Sequence, residues 1–407
     1  MNILYLCEEY PPGKNGGIGT MVNVLGRELV RQGHNVYVAG LYPPGYSQAD
    51  YDEDKGVKVW RLRYKADIGL IKGNYSFFDT LYLKLYKYSA LLHFDTIASA
   101  RYLFGFIKDL VKEYNIDIIE MPDWNTFLHN SLTTSHIPSF EVPLVIKLNG
   151  SDSYFAREMN TRINSRIFKA EQALLNRANA IASASLYTAK KTKEIFKVSK
   201  EITVLYNSIN IPSNVEKSAH SNTVIFTGAL VRKKGIISLL QAWNLANTRC
   251  PRANLHIYGK GPVHKLKKLL TKDSGSSVFF HEHVSREILL RELSNSTVAI
   301  FPSYSECFSF APLEAMAAGC AVIYSSRSSG PELITHNEDG FLIDPDDINA
   351  IADAIVLLLT NKDLRDKIAK AGKKTISEKF NITISARQHI SFYNKVIQAG
   401  FKRKDGH

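Results

Sequence analysis

The sequence predicts an α/β protein built as two lobes, each around a parallel sheet. Short apolar segments of strand length alternate with helical segments along the whole chain, the pattern of strand–helix–strand crossover units. The series also restarts near Asn222, and both halves open as strand, glycine-containing loop and helix. Finally, 407 residues exceed what one domain of about 150 residues holds.

In the first half the strand candidates are Asn2–Cys7, Asn35–Ala39, Asp117–Met121, Leu144–Leu148, Ala180–Ala182 and Thr203–Tyr206. A helix from about Gly19 to Gln32 gathers Val22, Val24, Leu25, Leu29 and Val30 on one side and stops at Gly33, a good C-terminal cap residue. The polar stretch Ile209–Ser221, with Pro212 inside it, reads as the linker. The second half offers Thr223–Thr227, Asn254–Tyr258, Ser277–Phe280, Val298–Phe301, Ala321–Tyr324 and Gly340–Ile343. Helices over 348–360 and 362–379 follow, then a final one from about Ile384 to Phe401. The expected division is 1–208 for the first lobe, 209–385 for the second and 386–407 for the C-terminal helix.

Composition narrows the function classes. Lys and Arg total 51 against 39 Asp and Glu, a net charge of +12, which leaves nucleic acid, an anionic membrane face or phosphorylated small molecules as partners. Cys7, Cys250, Cys307 and Cys320 lie far apart without CxxC pairing, which argues against a disulfide framework or structural zinc and fits a reducing compartment. The opening MNILYLCEE reads as a first strand, not a signal peptide, and no apolar run reaches the roughly 18 residues of a membrane span. The expected setting is the cytoplasm, either free or peripheral at the inner face of a membrane.

Three stretches carry chemistry. In FPSYSECFSFAPLEAMAAG (301–319) a buried-type strand gives way to a polar loop bearing Glu306, then to an Ala-rich helix opening near Pro312 with Glu314 in its first turn. Open α/β folds bind ligands above such strand ends, where carboxylates accept hydrogen bonds from sugar or ribose hydroxyls and helix-start N–H groups hold anions. Alternatively, Glu314 only complements the helix dipole and Glu306 is a solvated loop charge. In VIFTGALVRKKGIISLL (224–240) a strand ends at Gly228 and a helix begins near Gly235, with Arg232, Lys233 and Lys234 between. Basic side chains beside a helix start suit a diphosphate, with Lys234 as the chosen ligand, although a short charge run is often merely solvated. It is no Walker A loop, because GxxxxGK[ST] is absent. In CEEYPPGKNGGIGT (7–20) Gly17 and Gly19 lie too far from the strand for a dinucleotide fingerprint. They let backbone approach a ligand, or they belong to a plain flexible loop.

Together these stretches resemble the retaining, nucleotide-sugar-dependent glycosyltransferases of family 4 (GT4). The resemblance extends through IDIIEMPDW (116–124), VLYNSIN (204–210), IYGKGP (257–262), SGPELI (329–334) and DGFLIDP (339–345). It implies the GT-B fold, two Rossmann-like parallel-sheet lobes facing a central cleft, with the final helix crossing back to the first lobe. It also implies that Glu306 contacts the donor sugar, Glu314 the ribose hydroxyls and Lys234 the donor diphosphate. Gly17 and Gly228 would lie near the phosphates, and the backbone at Cys307, Phe308 and Ser309 would touch the donor. Three positions depart from the family pattern. Ala229 stands where Arg is frequent, so Arg232 is expected to supply the second positive charge. Glu306-Cys307-Phe308-Ser309 replaces a sequence with two glycines. Asn149 stands where His is frequent, and Asn cannot titrate near neutral pH.

What the resemblance implies chemically is transfer of a sugar from a nucleotide-sugar donor to a glycan or lipid-linked acceptor, as in cell-surface polysaccharide or glycolipid synthesis. The donor is a co-substrate, and neither cofactor nor metal is expected. The rivals are a sugar-nucleotide epimerase on the same architecture and an inactive basic protein that binds membrane or nucleic acid. Asp52-Glu53-Asp54 and Asp344-Pro345-Asp346 each spell D-x-D but read as polar turns, and His281-Glu282-His283 lacks further spaced ligands. The stretch Lys55–Lys112 interleaves basic and aromatic residues, which suits an anionic membrane surface; equally, its aromatics pack on a core while its lysines face water. No nucleic-acid module is recognisable, so nucleic acid is not an expected partner.

Overall fold

In a computed structural model of the chain, the described residues are all except 13–15, 43–47, 65–84, 86–89, 131–136, 212–221, 283 and 400–407. They fall into two compact units. The first comprises Met1–Ala184, Thr188–Tyr206 and the chain from Ser385; the second comprises Ser185–Tyr187 and Asn207–Ile384.

The first unit is built on an eight-stranded sheet ordered β3-β4-β2-β1-β5-β6-β7-β8. Its strands are β1 (Asn2–Leu6), β2 (Asn35–Tyr42), β3 (Tyr51–Asp54), β4 (Val57–Arg63), β5 (Ile118–Pro122), β6 (Leu144–Leu148), β7 (Ala180–Ser183) and β8 (Ile202–Val204). Neighbours run parallel except β3 and β4, which pair antiparallel. Every residue of β5 and β6 is buried, as expected of central strands covered on both faces. The helix Gly17–Arg31 crosses from β1 to β2 and buries Met21, Val22, Leu25 and Leu29.

Asp52-Glu53-Asp54 departs from its reading as a polar turn, because these residues form the edge strand β3. Its charges are matched locally. Asp54 takes the guanidinium of Arg27 at 2.6 Å and the hydroxyl of Tyr10 at 2.8 Å, and Asp52 lies 3.6 Å from Arg61. β4 likewise escaped notice, because VKVWRLR looks like basic surface. In fact Val57 and Val59 face the core, and the buried Arg61 donates to the carbonyls of Ala49 and Pro11. Trp60 packs against the core, and Tyr64 and Phe104 are inside it. Lys65, Lys72, Tyr75, Phe77, Phe78, Tyr82, Lys84, Tyr86, Lys87 and Tyr88 lie outside the described residues.

The second unit holds a fully parallel six-stranded sheet ordered β11-β10-β9-β12-β13-β14. Its strands are β9 (Thr223–Thr227), β10 (Asn254–Tyr258), β11 (Val278–His281), β12 (Val298–Phe301), β13 (Ala321–Ser325) and β14 (Phe341–Ile343). The helix Ile236–Arg249 buries Trp243 completely, and the indole N–H donates to Ser277 Oγ at 3.0 Å, satisfying its one donor. Strand order reverses between β9 and β12, and in such sheets the crevice beyond the strand ends at the reversal is where ligands bind. In the first sheet the corresponding reversal lies between β1 and β5.

The final helix, Ile382–Gln398, lays polar groups against the first sheet. Tyr5 and Glu120 are register partners on β1 and β5. Tyr393 joins both: its hydroxyl donates to Glu120 Oε2 at 2.7 Å and meets the Tyr5 hydroxyl at 3.0 Å. Lys147 on β6 donates to the Leu205 carbonyl at 2.5 Å, and burial lowers its pKa to about 8. His389 donates from Nδ1 to the Ser385 carbonyl at 2.8 Å, and among the described residues its buried Nε2 has no partner. Burial, with the Lys147 charge adding to it, lowers the His389 pKa to about 3. The unfolded chain therefore takes up a proton below about pH 6.5 that the native protein refuses until about pH 3, so stability falls as pH drops through that window. This one group accounts for about 2 kcal/mol at pH 5. The variant His389→Gln is expected to lose less thermal stability than the parent between pH 7 and pH 5. Equal losses in the two proteins, measured by calorimetry, would contradict this.

Candidate functional site

At the reversal of the second sheet, the loops after β9 and β12 are held together by backbone. After β9 come Gly228, with φ +150°, and a short 3₁₀ turn over Arg232–Lys234. Gly235 then opens the helix Ile236–Arg249 with φ +72°, and a Cβ there would fall 1.7 Å from the Pro302 carbonyl oxygen. The Tyr304 N–H completes the join by donating to the Lys233 carbonyl at 2.8 Å. With the loops so close, Lys234 Nζ meets Glu306 Oε1 at 2.5 Å. Both side chains are largely enclosed, at 26% and 11% exposure, so the pair is more than a surface ion pair. Burial lowers the pKa of the neighbouring Lys233, while the Glu306 charge opposes that shift.

Arg232 opens the same 3₁₀ turn. It lines a cavity of about 330 Å³ with Ile237, Ser238, Gln241, Tyr304 and Asp346. The Tyr304 hydroxyl there donates to Asp346 Oδ1 at 2.8 Å and meets Ser238 Oγ at 3.1 Å. Arg327 binds both Asp344 and Asp346, at 2.6 and 2.5 Å, so this D-x-D pair is already engaged by an arginine.

Glu314 corrects a sequence expectation. The helix begins at Phe310, two residues before Pro312, so Glu314 is past its first turn and does not face the helix-start amides. Its carboxylate pairs instead with the guanidinium of Arg286 at 3.0 Å. Burial raises the Glu314 pKa, and the Arg286 charge opposes that shift. No side chain caps the start of this helix at Ser309. Cys307 and Phe308 are buried beside Glu306, and the four cysteines are all free. Neither Arg286 nor Lys233 carried a sequence signal. The one sits outside any quoted motif, and the other was indistinguishable from its two basic neighbours.

The first unit presents its own arrangement at the reversal between β1 and β5. Glu9 accepts from the N–H groups of Gly16 and Gly19 at 3.0 and 3.1 Å, closing the start of the helix Gly17–Arg31. Asn149 follows β6 half-buried; its N–H donates to Asp123 Oδ1 at 2.8 Å and its side-chain amide to the Lys147 carbonyl at 3.3 Å. Glu8 accepts from the Thr126 N–H at 2.8 Å, and Glu171 from the Asp152 N–H at 2.8 Å. Burial raises the pKa values of Glu8, Asp123 and Glu171 to about 7 each. These anchoring carboxylates were missed because their partners are backbone amides, which leave no trace in a sequence.

The two glycines of this loop differ. A Cβ at Gly19 would fall 1.9 Å from the Glu9 carbonyl oxygen, whereas a Cβ at exposed Gly17 meets nothing within 4 Å. The chain itself requires Gly19, and Gly17 is left open to an approaching group. Urea unfolding is therefore expected to show Gly19→Ala destabilised by about 2 kcal/mol or more, with Gly17→Ala within about 0.5 kcal/mol of the parent. Equal effects at the two positions would contradict the distinction.

Comparison with known proteins agrees with this geometry. The profile described as "Glycosyl transferases group 1" matches residues 208–375, and "Glycosyltransferase Family 4" matches 15–212. An uncharacterized glycosyltransferase of Methanocaldococcus jannaschii is 24% identical over 97% of this chain and 98% of its own length. Among solved structures, a sucrose-phosphate synthase from Thermosynechococcus elongatus matches with a TM-score of 0.74 at 18% identity, over 98% of this chain and 100% of its own. The Anabaena protein HepE, solved with UDP and glucose, matches with a TM-score of 0.68 at 17% identity, over 97% and 100% of the two chains.

Proposed function

The chain belongs to the GT4 group of glycosyltransferases with the GT-B fold, and we propose that it moves a sugar from a nucleotide-sugar donor to a glycan or lipid-linked acceptor with retained anomeric configuration. The observation that carries this reading is the Lys234–Glu306 contact at the strand reversal of the second sheet. A bound donor would exchange that contact for two better matched ones, ammonium on diphosphate and carboxylate on a sugar hydroxyl. Glu314 would take the ribose hydroxyls. Gly228 would provide backbone that a phosphate can approach, and exposed Gly17 is assigned the same part within its own unit.

The chemistry follows from where charge develops. The bond from the sugar's anomeric carbon to the phosphate oxygen breaks, leaving negative charge on the nucleoside diphosphate and oxocarbenium character on the sugar. Lys234 stabilises the departing phosphate, together with the uncapped N–H groups at the start of the helix Phe310–Ala317. Arg232, which lines the neighbouring cavity, and Lys233, whose pKa the Glu306 charge raises against burial, are the two candidates for the second positive charge. On the same face, the acceptor oxygen bonds to the anomeric carbon and passes its proton to the leaving phosphate. Charge neutralisation by lysines and amides is why no metal is invoked. Asn149, fixed through Asp123, offers an amide that can hydrogen-bond a sugar hydroxyl but cannot titrate as a histidine would.

The helix Ala90–Glu113 exposes Phe94 and Tyr102 at helical spacing, beside Arg101 and Lys108. That face supports an acceptor anchored at an anionic membrane, on its cytoplasmic side. Among the described residues no helix is long and apolar enough to cross a membrane. Glu306→Gln and Lys234→Ala are each expected to lower transfer by about 10²-fold or more in protein that still folds. A thermal-shift screen with UDP, GDP and ADP is expected to single out one nucleotide, with UDP the first to try given the Anabaena neighbour. Unchanged turnover in both variants would overturn the site.

A further inference from the structure

The loop that carries Glu306 is braced from the two ends of its own unit. Apart from Ser185–Tyr187 that unit runs from Asn207 to Ile384, and the ends of this stretch are stitched together by backbone. The Ile209 N–H donates to the Phe380 carbonyl at 3.0 Å, and the Ile382 N–H donates to the Ile209 carbonyl at 3.0 Å. Ile209, expected to begin a polar linker, is instead fully buried opposite Asn381.

From this stitch two side chains reach Phe308. Asn207 Nδ2 donates to the Phe308 carbonyl at 3.1 Å, and the Phe380 ring packs on the Phe308 ring with centroids 5.4 Å apart. All three residues are buried, at 7%, 2% and 5% exposure for Asn207, Phe380 and Phe308. Among the described residues Asn207 Oδ1 is buried without a partner, so the bond to Phe308 is the one that orients the amide there.

The peptide plane turns this contact into a functional one. The Phe308 carbonyl and the Ser309 N–H belong to one planar trans peptide group and point in opposite directions. Fixing the carbonyl therefore fixes the aim of the N–H. Ser309 is the residue at which the helix Phe310–Ala317 starts, and among the described residues its N–H has no acceptor. We infer that Asn207 and Phe380 are positioning residues that lock the Phe308–Ser309 peptide plane and so aim the free Ser309 N–H at the donor's diphosphate-sugar. This rests on the donor-site reading above and adds to it two residues outside its proposed contacts.

The test is calorimetric titration with UDP, GDP and ADP, together with steady-state kinetics, on Asn207→Ala, Asn207→Asp, Phe380→Leu and the double variant Asn207→Ala/Phe380→Leu. Asn207→Ala is expected to weaken nucleotide binding and raise the donor KM about tenfold, with the acceptor KM unchanged. Asn207→Asp, measured above about pH 8 where its side chain is ionised and cannot donate, should behave like Asn207→Ala. The double variant should lose less than the product of the two single losses, because both act on one peptide plane. Should Asn207→Ala fail to fold, Asn207→Asp and the near-isosteric Phe380→Leu carry the same comparison. Lower melting temperatures with donor binding and donor KM unchanged, or losses that multiply independently, would overturn the inference. Absence of nucleotide binding by the parent protein would overturn the donor-site reading, and this inference with it.

Discussion

Gly235 comes so close to the Pro302 carbonyl that no side chain fits between them, and the Lys234–Glu306 contact follows from that approach. One loop leaves β9 and the other leaves β12, neighbours in the sheet whose crossovers run in opposite directions. The reversal opens a crevice, and the glycine lets both loops line it without a gap. A larger residue at 235 would push the 3₁₀ turn off the loop and separate ammonium from carboxylate. The electrostatics of the site thus depend first on a steric fact, the absence of one carbon atom.

The first unit meets the same demand differently. At its strand ends the backbone N–H groups are taken up by the carboxylates of Glu8, Glu9, Asp123 and Glu171, each bound to amides of a neighbouring loop or helix start. Burying those carboxylates is unfavourable, as the raised pKa values of Glu8, Asp123 and Glu171 record, and each amide bond offsets part of the cost. The result is a set of loops tied down by charge, in contrast to the second unit, where a cation and an anion meet directly.

Much of this was legible in the residues. β6, β9, β10 and β12 are found where their apolar runs end in loop-forming residues, because strands buried on both faces read as continuous apolar segments. Lys234 and Glu306 were legible as strand-end residues beside helix starts. β3 and β4 were not, because an edge strand carries charges that only its neighbours neutralise: Asp54 needs Arg27, 27 residues earlier in the chain. Arg286, Asn207 and Phe380 were illegible as site residues for a related reason. Their roles are contacts over long separations, such as the 101 residues between Asn207 and Phe308, and single positions give no sign of such partners. The departure at Glu314 was a matter of two residues in a helix start, enough to move a carboxylate from the helix dipole to an arginine.

A structure determined with the bound nucleoside diphosphate would test the central claim most directly. The account predicts diphosphate oxygens within hydrogen-bonding distance of Lys234 Nζ and the Ser309 N–H, with the Lys234–Glu306 contact opened and Gly235 still against Pro302. A nucleotide bound instead in the cavity beside Arg232 and Tyr304, with Lys234 and Glu306 still paired, would contradict it.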